Sequence, residues 1–265
     1  MTTDQPVDDG LPGIEDLAKI DFASIPFGDM GFALPSPEES ARMARERFDR
    51  VAPFMIDRWP ESVRALSFPT KLVEVSAEEM ETLFEYQAPG WKDNATRLAD
   101  RLDAAMDWDD HFIRMASRSP KDVSDRLITC SGRQAVAWIS HSERCMDDVF
   151  TATRAGERMY ICLREPRHLW KDAEFRCFAR GGEMIAVSRY FYGEEPEHRP
   201  EPGAMFAAAK AFYETHLKAH FEDVVFDLHA PGTEHEILIE LNPYGMSDPC
   251  LFGSYDEVEK GGERL

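Results

Sequence analysis

Val224-Val225-Phe226-Asp227-Leu228 and Ile237-Leu238-Ile239-Glu240-Leu241-Asn242 flank the segment His229-Ala230-Pro231-Gly232-Thr233-Glu234. Two apolar runs of strand length around such a turn read as a hairpin. Asp227, Glu240 and Asn242 interrupt the apolar residues without being needed for packing. Side chains two apart on a strand share a face, so Glu240 and Asn242 project together. Asp227 joins them if the register sets it opposite an even-numbered residue of the second strand. Asp, Glu and Asn are hard oxygen donors, which Mg²⁺ accepts while keeping part of its water shell. Acids among apolar neighbours carry a large desolvation cost unless a cation or a donor compensates. The competing reading is a set of solvated side chains on the outer face of the hairpin.

Upstream, strands and helices are intermixed. Ser36-Pro37-Glu38-Glu39 has the N-cap, proline and acidic first turn of a helix running to about Val51. Phe68 to Val75 reads as a strand, and Ser76-Ala77-Glu78-Glu79 as a capping box opening a helix. His111 to Ala116 is a further strand, followed by the polar loop Ser117 to Asp122. Helical spacing spans 133–149. Met159 to Leu163 is a strand, and Glu174 to Arg180 pairs with Glu183 to Tyr192 around Gly181-Gly182, a pair suited to positive φ. A helix from about Pro202 to Phe221 carries Phe206, Ala209, Tyr213, Leu217 and Phe221 on one stripe. This mixture, rich in hairpins, indicates an α+β fold rather than a doubly wound parallel sheet.

The chain has 265 residues, enough for one large domain or two associated lobes. Fifty acidic residues against thirty Lys and Arg give a formal charge of −20. Non-specific nucleic-acid binding relies on a basic surface, so direct nucleic-acid binding is not expected. No apolar run reaches the roughly 18–20 residues needed to span a bilayer, and a signal peptide is not apparent. Five widely spaced cysteines without a Cys-x-x-Cys pair suggest reduced thiols in a cytoplasmic setting. Residues 1–40 carry nine acids and one lysine, with several apolar residues among them. The reading is an extension over 1–45, partly disordered and partly laid onto the body.

A second constellation is Glu174-Phe175-Arg176-Cys177-Phe178, where Glu174 and Arg176 share one face. These residues form either a structural ion pair or a phosphate contact through the planar guanidinium of Arg176. Arg114, Arg164 and Arg189 are further cationic candidates. His216 and His220 lie one helical turn apart, but with no third ligand evident the favoured reading is solvated or packed rings. Neither a Walker-type loop, nor Gly-x-Gly-x-x-Gly, nor Gly-x-Ser-x-Gly is present.

The block Leu163-Arg164-Glu165-Pro166 through Glu174-Phe175-Arg176-Cys177-Phe178 resembles a signature of the cell division cycle protein 123 family. The likeness extends to Phe112 to Asp122, to Val225-Phe226-Asp227, and to Ile239-Glu240-Leu241-Asn242-Pro243 with Leu251-Phe252 following. Trp59-Pro60 and Phe68-Pro69 are similar to pairs in that family, so the resemblance spans roughly 50–256. It implies an ATP-grasp-like α+β fold over 46–256, two lobes with ATP and Mg²⁺ between them, and a tail over 257–265. On this resemblance Asp227, Glu240 and Asn242 are the metal ligands. Leu163, Arg164, Glu165 and Pro166 form the interlobe segment beside adenine. Arg114, Glu174, Arg176 and Arg189 join the ATP site, with Arg176 and Arg189 as the catalytic, charge-stabilising positions. Glu240 replaces the family's usual aspartate, Arg114 its lysine, and Arg189-Tyr190 its Gln-Arg. The resemblance implies, as the first reading, an ATP-dependent ligase acting on a protein or peptide carboxylate and, as the alternative, a non-catalytic ATP-bound assembly chaperone for a translation-factor-like partner.

Overall fold

A computed structural model of the protein describes residues 35–84, 90–107, 109–191, 201 and 203–265. The chain divides into a first unit, Met1–Ser40, and a second, Ala41–Leu265, which holds both sheets. Most of the acidic extension expected over 1–45, and Pro202 at the expected helix start, lie outside the described residues.

Helix α1 (Pro37–Val51) begins where Ser36 Oγ accepts the amide of Glu39 at 3.1 Å. A short turn of helix α2 (Glu61–Arg64) precedes strand β1 (Thr70–Val75). The capping box forms: Glu79 accepts the amide of Ser76 at 2.8 Å, and Ser76 Oγ that of Glu79 at 3.2 Å. It opens α3 (Ala77–Phe84), which is followed by α4 (Trp91–Ala105), β2 (His111–Met115) and β3 (Ile128–Thr129). The helical stretch expected over 133–149 is two helices, α5 (Gly132–His141) and α6 (Glu143–Ala155). The break falls at Ser142, whose hydroxyl caps α6 by accepting from the Cys145 amide and donates to Asp122 at 2.6 Å. Periodicity alone does not register a cap of this kind, because the apolar stripe continues through it.

Strand β4 (Met159–Arg164) completes a four-stranded antiparallel sheet of order β1-β4-β2-β3. The remaining strands β5 (Glu174–Arg180), β6 (Glu183–Arg189), β7 (Val224–His229), β8 (Ile237–Asn242) and β9 (Gly262–Arg264) form a second sheet of order β8-β7-β5-β6-β9. Helix α7 (Ala204–Phe212) runs into a π-helical turn, Tyr213–Leu217, where one continuous α-helix is expected from sequence. Its buried rings stack on the second sheet, with Phe212 and Tyr213 each 6.1 Å from Phe226. His216 lies tilted against Phe212, and the exposed His220 is edge-on to Phe221.

The last residues, read from sequence as a tail, include helix α8 (Tyr255–Val258) and β9, which lies parallel to β6. Glu263 of β9 accepts the amides of Gly203 and Phe206, and so caps the start of α7. The core is one large apolar cluster joining both sheets and the helices, with a smaller one around Phe178, Val225, Phe252 and Val258. The α+β expectation, with two sheet-and-helix halves, is met.

The two halves meet along β8. The Leu238 amide donates to the Leu66 carbonyl at 2.9 Å, and Ser67 Oγ donates to the Leu238 carbonyl. Arg164, at the end of β4, donates to the Ile239 carbonyl at 3.0 Å.

Candidate functional site

The β7–β8 register sets Asp227 opposite Glu240, and Val225 opposite Asn242. On the other side of β7, Asp227 faces Arg176 of β5. Directly opposed residues share a sheet face, so Arg176, Asp227 and Glu240 form one row across three strands. Arg176 donates through Nε and Nη2 to both oxygens of Asp227, each at 2.8 Å, and through Nη1 to the Asp248 carbonyl at 3.0 Å. Both side chains are buried. The ion pair at this site is therefore Arg176–Asp227 rather than the Glu174–Arg176 pair that the sequence suggests.

The first sheet turns a second set of cations toward this row. Arg114 is buried on β2 and donates to the carbonyls of Met115 and Ser117, at 3.0 and 3.1 Å, with Nη2 3.5 Å from Glu240 Oε1. Arg164 lies on the same sheet face, since the register pairs Arg114 with Cys162 two residues away. Burial, and then the nearby Arg114, push the Arg164 pKa down to about 9, which leaves it charged at neutral pH. Leu163 points the other way: it pairs with Ile113 and is fully buried in the core. Glu165 is tied through its amide to the Pro69 carbonyl at 3.0 Å, and its carboxylate accepts from Arg167. Pro166 follows it, half-buried.

Arg189 is also turned away from the row. A hairpin without irregularity around Gly181-Gly182 pairs Arg180 with Glu183 and, counting back, Glu174 with Arg189. A bulge at Phe178/Ala179 shifts the register, so Arg189 lies opposite Phe175 and Ser188 opposite Arg176. One extra residue exchanges the two faces of the rest of the strand. Arg189 is consequently buried on the Phe175 face, with Nε and Nη1 unpaired among the described residues. Tyr190 takes the place beside the row, its ring 4.8 Å from the Arg176 guanidinium carbon.

Burial first, and then the charges of Asp227 and Glu240, push the Glu174 carboxyl pKa up to about 8, against the opposing pull of Lys121 and Arg176. In the unfolded chain the group has an ordinary carboxylate pKa near 4.3. A raised folded-state pKa means the folded protein holds a proton that the unfolded chain has released. This contribution is present below pH ~4.3 and is lost as pH rises toward 8. Glu174→Gln is accordingly expected to gain stability relative to wild type steadily between pH 5 and 8. Urea unfolding at several pH values checks this; a difference constant with pH contradicts it.

A cavity of about 370 Å³ opens beside Glu240 and Asn242. Its polar wall includes Arg118, Lys121, Arg144 and Arg176, and its apolar wall Val51, Phe54, Met55 and Met246. The volume lies in the range of small-molecule sites. Lys121 and Tyr190 line it although the sequence reading assigned them no role. The available signal was the loop Ser119-Pro120-Lys121-Asp122, which reads as a simple turn until the fold brings it beside β8.

The donor set suits a hard divalent cation. Glu240 and Asn242 project toward one space, and the Asn242 amide nitrogen is buried without a hydrogen-bond partner. Turning that amide over offers its oxygen instead. Among the described residues no group of three or more His, Cys, Asp or Glu could hold a metal by itself. A cation at this place would need oxygens from its co-ligand as well. Among the described residues no helix is long and apolar enough to cross a membrane.

The fold is shared with the solved structure of Cdc123 from Schizosaccharomyces pombe. That match has a TM-score of 0.65 at 18% identity and covers 82% of this chain and 96% of that one. A CDC123-like protein of Acanthamoeba polyphaga mimivirus is 25% identical over 249 residues, 83% of this chain and 73% of that protein. The translation initiation factor eIF2 assembly protein of Xenopus laevis is 28% identical over 103 residues, 38% of this chain and 30% of the relative's length. The family model described as D123 matches residues 114–264, a span that runs from Arg114 through Asp227, Glu240 and Asn242 to β9. The chain belongs to the D123 family.

Proposed function

We propose that the protein is an Mg-ATP-binding assembly factor that acts on a protein partner of the translation-factor kind. The observation that carries the nucleotide part is the row Arg176–Asp227–Glu240, faced by Arg114 from the other sheet and bordered by a cavity. Two cations suited to phosphate oxygens flank two hard oxygen donors suited to a divalent ion there. A bound divalent ion supplies charge neutralisation at the phosphates. Glu240 and Asn242, with Asp227 behind them, would hold it, while Arg114 and Arg176 orient the anion. The assembly role draws on the relatives named as eIF2 assembly proteins. The five free cysteines suit a reducing, cytoplasmic setting.

A second reading, an ATP-dependent ligase acting on a protein or peptide carboxylate, draws on the same cavity, where cationic side chains stand beside the acids. Sustained ADP release in the presence of an acceptor supports the ligase. Partner capture with bound ATP and no turnover supports the assembly factor.

Thermal unfolding with and without Mg-ATP tests the nucleotide reading. A ligand at a hundred times its Kd stabilises the folded state by about 2.7 kcal/mol, which raises Tm by roughly 5–10 °C for a chain of this size. Glu240→Gln is expected to abolish most of that shift. Absence of any shift in the wild type at millimolar Mg-ATP overturns the proposal.

A further inference from the structure

Residues 165–173 join β4 of the first sheet to β5 of the second. The start of this connector is tied to the first half, where the Glu165 amide donates to the Pro69 carbonyl at 3.0 Å. Its end is tied to the second half, where Ala230, just past β7, donates its amide to the Ala173 carbonyl at 2.8 Å. Between these anchors Arg167, His168 and Trp170 are exposed, Trp170 by 61%. A side chain of β7 holds this middle part. The Trp170 amide donates to His229 Nε2 at 3.2 Å, and the indole lies tilted against the imidazole with ring centres 6.1 Å apart. His229 is itself buried. Because Nε2 accepts, the neutral ring carries its proton on Nδ1, which faces the His235 backbone without a hydrogen bond of ordinary geometry. His229 stands two residues beyond Asp227 on β7 and directly opposite Glu174 of β5. It therefore extends the face of the row Arg176–Asp227–Glu240 by one step, at the end away from Asn242.

We infer that residues 166–171 are a strap that closes this end of the row, and that His229 is the positioning residue that latches it. An indole left mostly in water contributes little burial to hold its own segment in place, so hydrogen bonds decide where the strap lies. The anchors at Glu165 and Ala173 are main-chain bonds that any side chain permits. The latch instead depends on a side chain, and that side chain belongs to the face of the candidate site. One neutral hydrogen bond is a small barrier to local opening, whereas the ladders of β5 and β7 open only with the sheet. The strap can thus lift from His229 while its two ends and both sheets stay in place. The latch stands apart from the nucleotide reading, and closure over a ligand on the row rests on it.

Amide hydrogen exchange of the full chain, read peptide by peptide by mass spectrometry, tests this. His229→Phe keeps a ring and removes the acceptor. It is expected to speed exchange over residues 168–171 by roughly three- to tenfold, the value of one neutral hydrogen bond. Trp170→Pro removes the donor instead, at a φ of −77° that proline adopts, and should speed exchange at the neighbouring amides by a similar factor. Trp170→Ala keeps the amide and should change exchange by less than about twofold. His229→Gln, whose side-chain oxygen accepts a hydrogen bond, should restore most of the protection. Saturating Mg-ATP should slow exchange over the same residues of the wild type by at least about threefold. His229→Phe and Trp170→Pro variants that both exchange as the wild type does overturn the latch. Mg-ATP that raises Tm yet leaves the strap's exchange unchanged overturns the closure and leaves the nucleotide reading intact. Mg-ATP that raises neither overturns the nucleotide reading and the closure with it, while the ligand-free variants still decide the latch.

Discussion

Arg176→Ala is expected to destabilise the folded protein by about 3–5 kcal/mol. The substitution leaves Asp227, 1% exposed, without the two hydrogen bonds that satisfy its carboxylate. Removing one partner of a buried pair strands the other charge, which is costlier than the pair is favourable. Asp227→Ala should be comparably harmful, because Arg176 is itself buried and, among the described residues, retains one hydrogen-bond acceptor, the Asp248 carbonyl, beside the Tyr190 ring. The asymmetry is testable. Replacing both partners with apolar residues of similar size, Arg176→Met with Asp227→Leu, should recover much of the loss while removing both charges from the site. Urea unfolding of the two single variants and the double variant supplies the cycle. Additive losses would show that the two side chains do not act as a pair. The same logic makes Glu240→Gln the better probe of ligand binding, since Asp227 variants confound binding with folding.

Gly132→Ala is expected to cost about 3 kcal/mol, the upper part of the range for overpacking. A Cβ at this position would lie 2.1 Å from the Ala99 carbonyl oxygen, a backbone atom that cannot rotate aside. The clash forces α5 away from α4 at the point where the Gly132 amide donates to Asp103. An ordinary exposed helix position gains from Gly→Ala, because alanine has the higher helix propensity. The expected sign is therefore opposite to the propensity rule, and a Tm drop of roughly 6–12 °C measures it. An unchanged or higher Tm means that the two helices separate at little cost.

Much of the second sheet is readable in the chain. Apolar runs around turn residues set β5 to β8, and the two-residue repeat puts Arg176 beside Glu174 and Glu240 beside Asn242. The register condition on Asp227 is met by its pairing with Glu240. What strand periodicity leaves open is the neighbour across the sheet. Arg176 and Asp227 are 51 residues apart, and nothing local to either announces the other. The bulge in β6 is equally silent, since Ala179 and Ile185 look like ordinary strand residues. It nevertheless decides that Tyr190 and not Arg189 faces the row. Lys121 is silent for a third reason: a polar loop residue comes to line a cavity only through the surface that folds beside it.

The ties along β8 have a mechanical consequence. Leu238 with Leu66, Ser67 with Leu238, and Arg164 with Ile239 fasten the edge of the second sheet to the segment before β1 and to the end of β4. Each such bond is worth about 1 kcal/mol net, so the three together resist separation at β8 by about 3 kcal/mol. The two sheets thus resemble a book bound along β8.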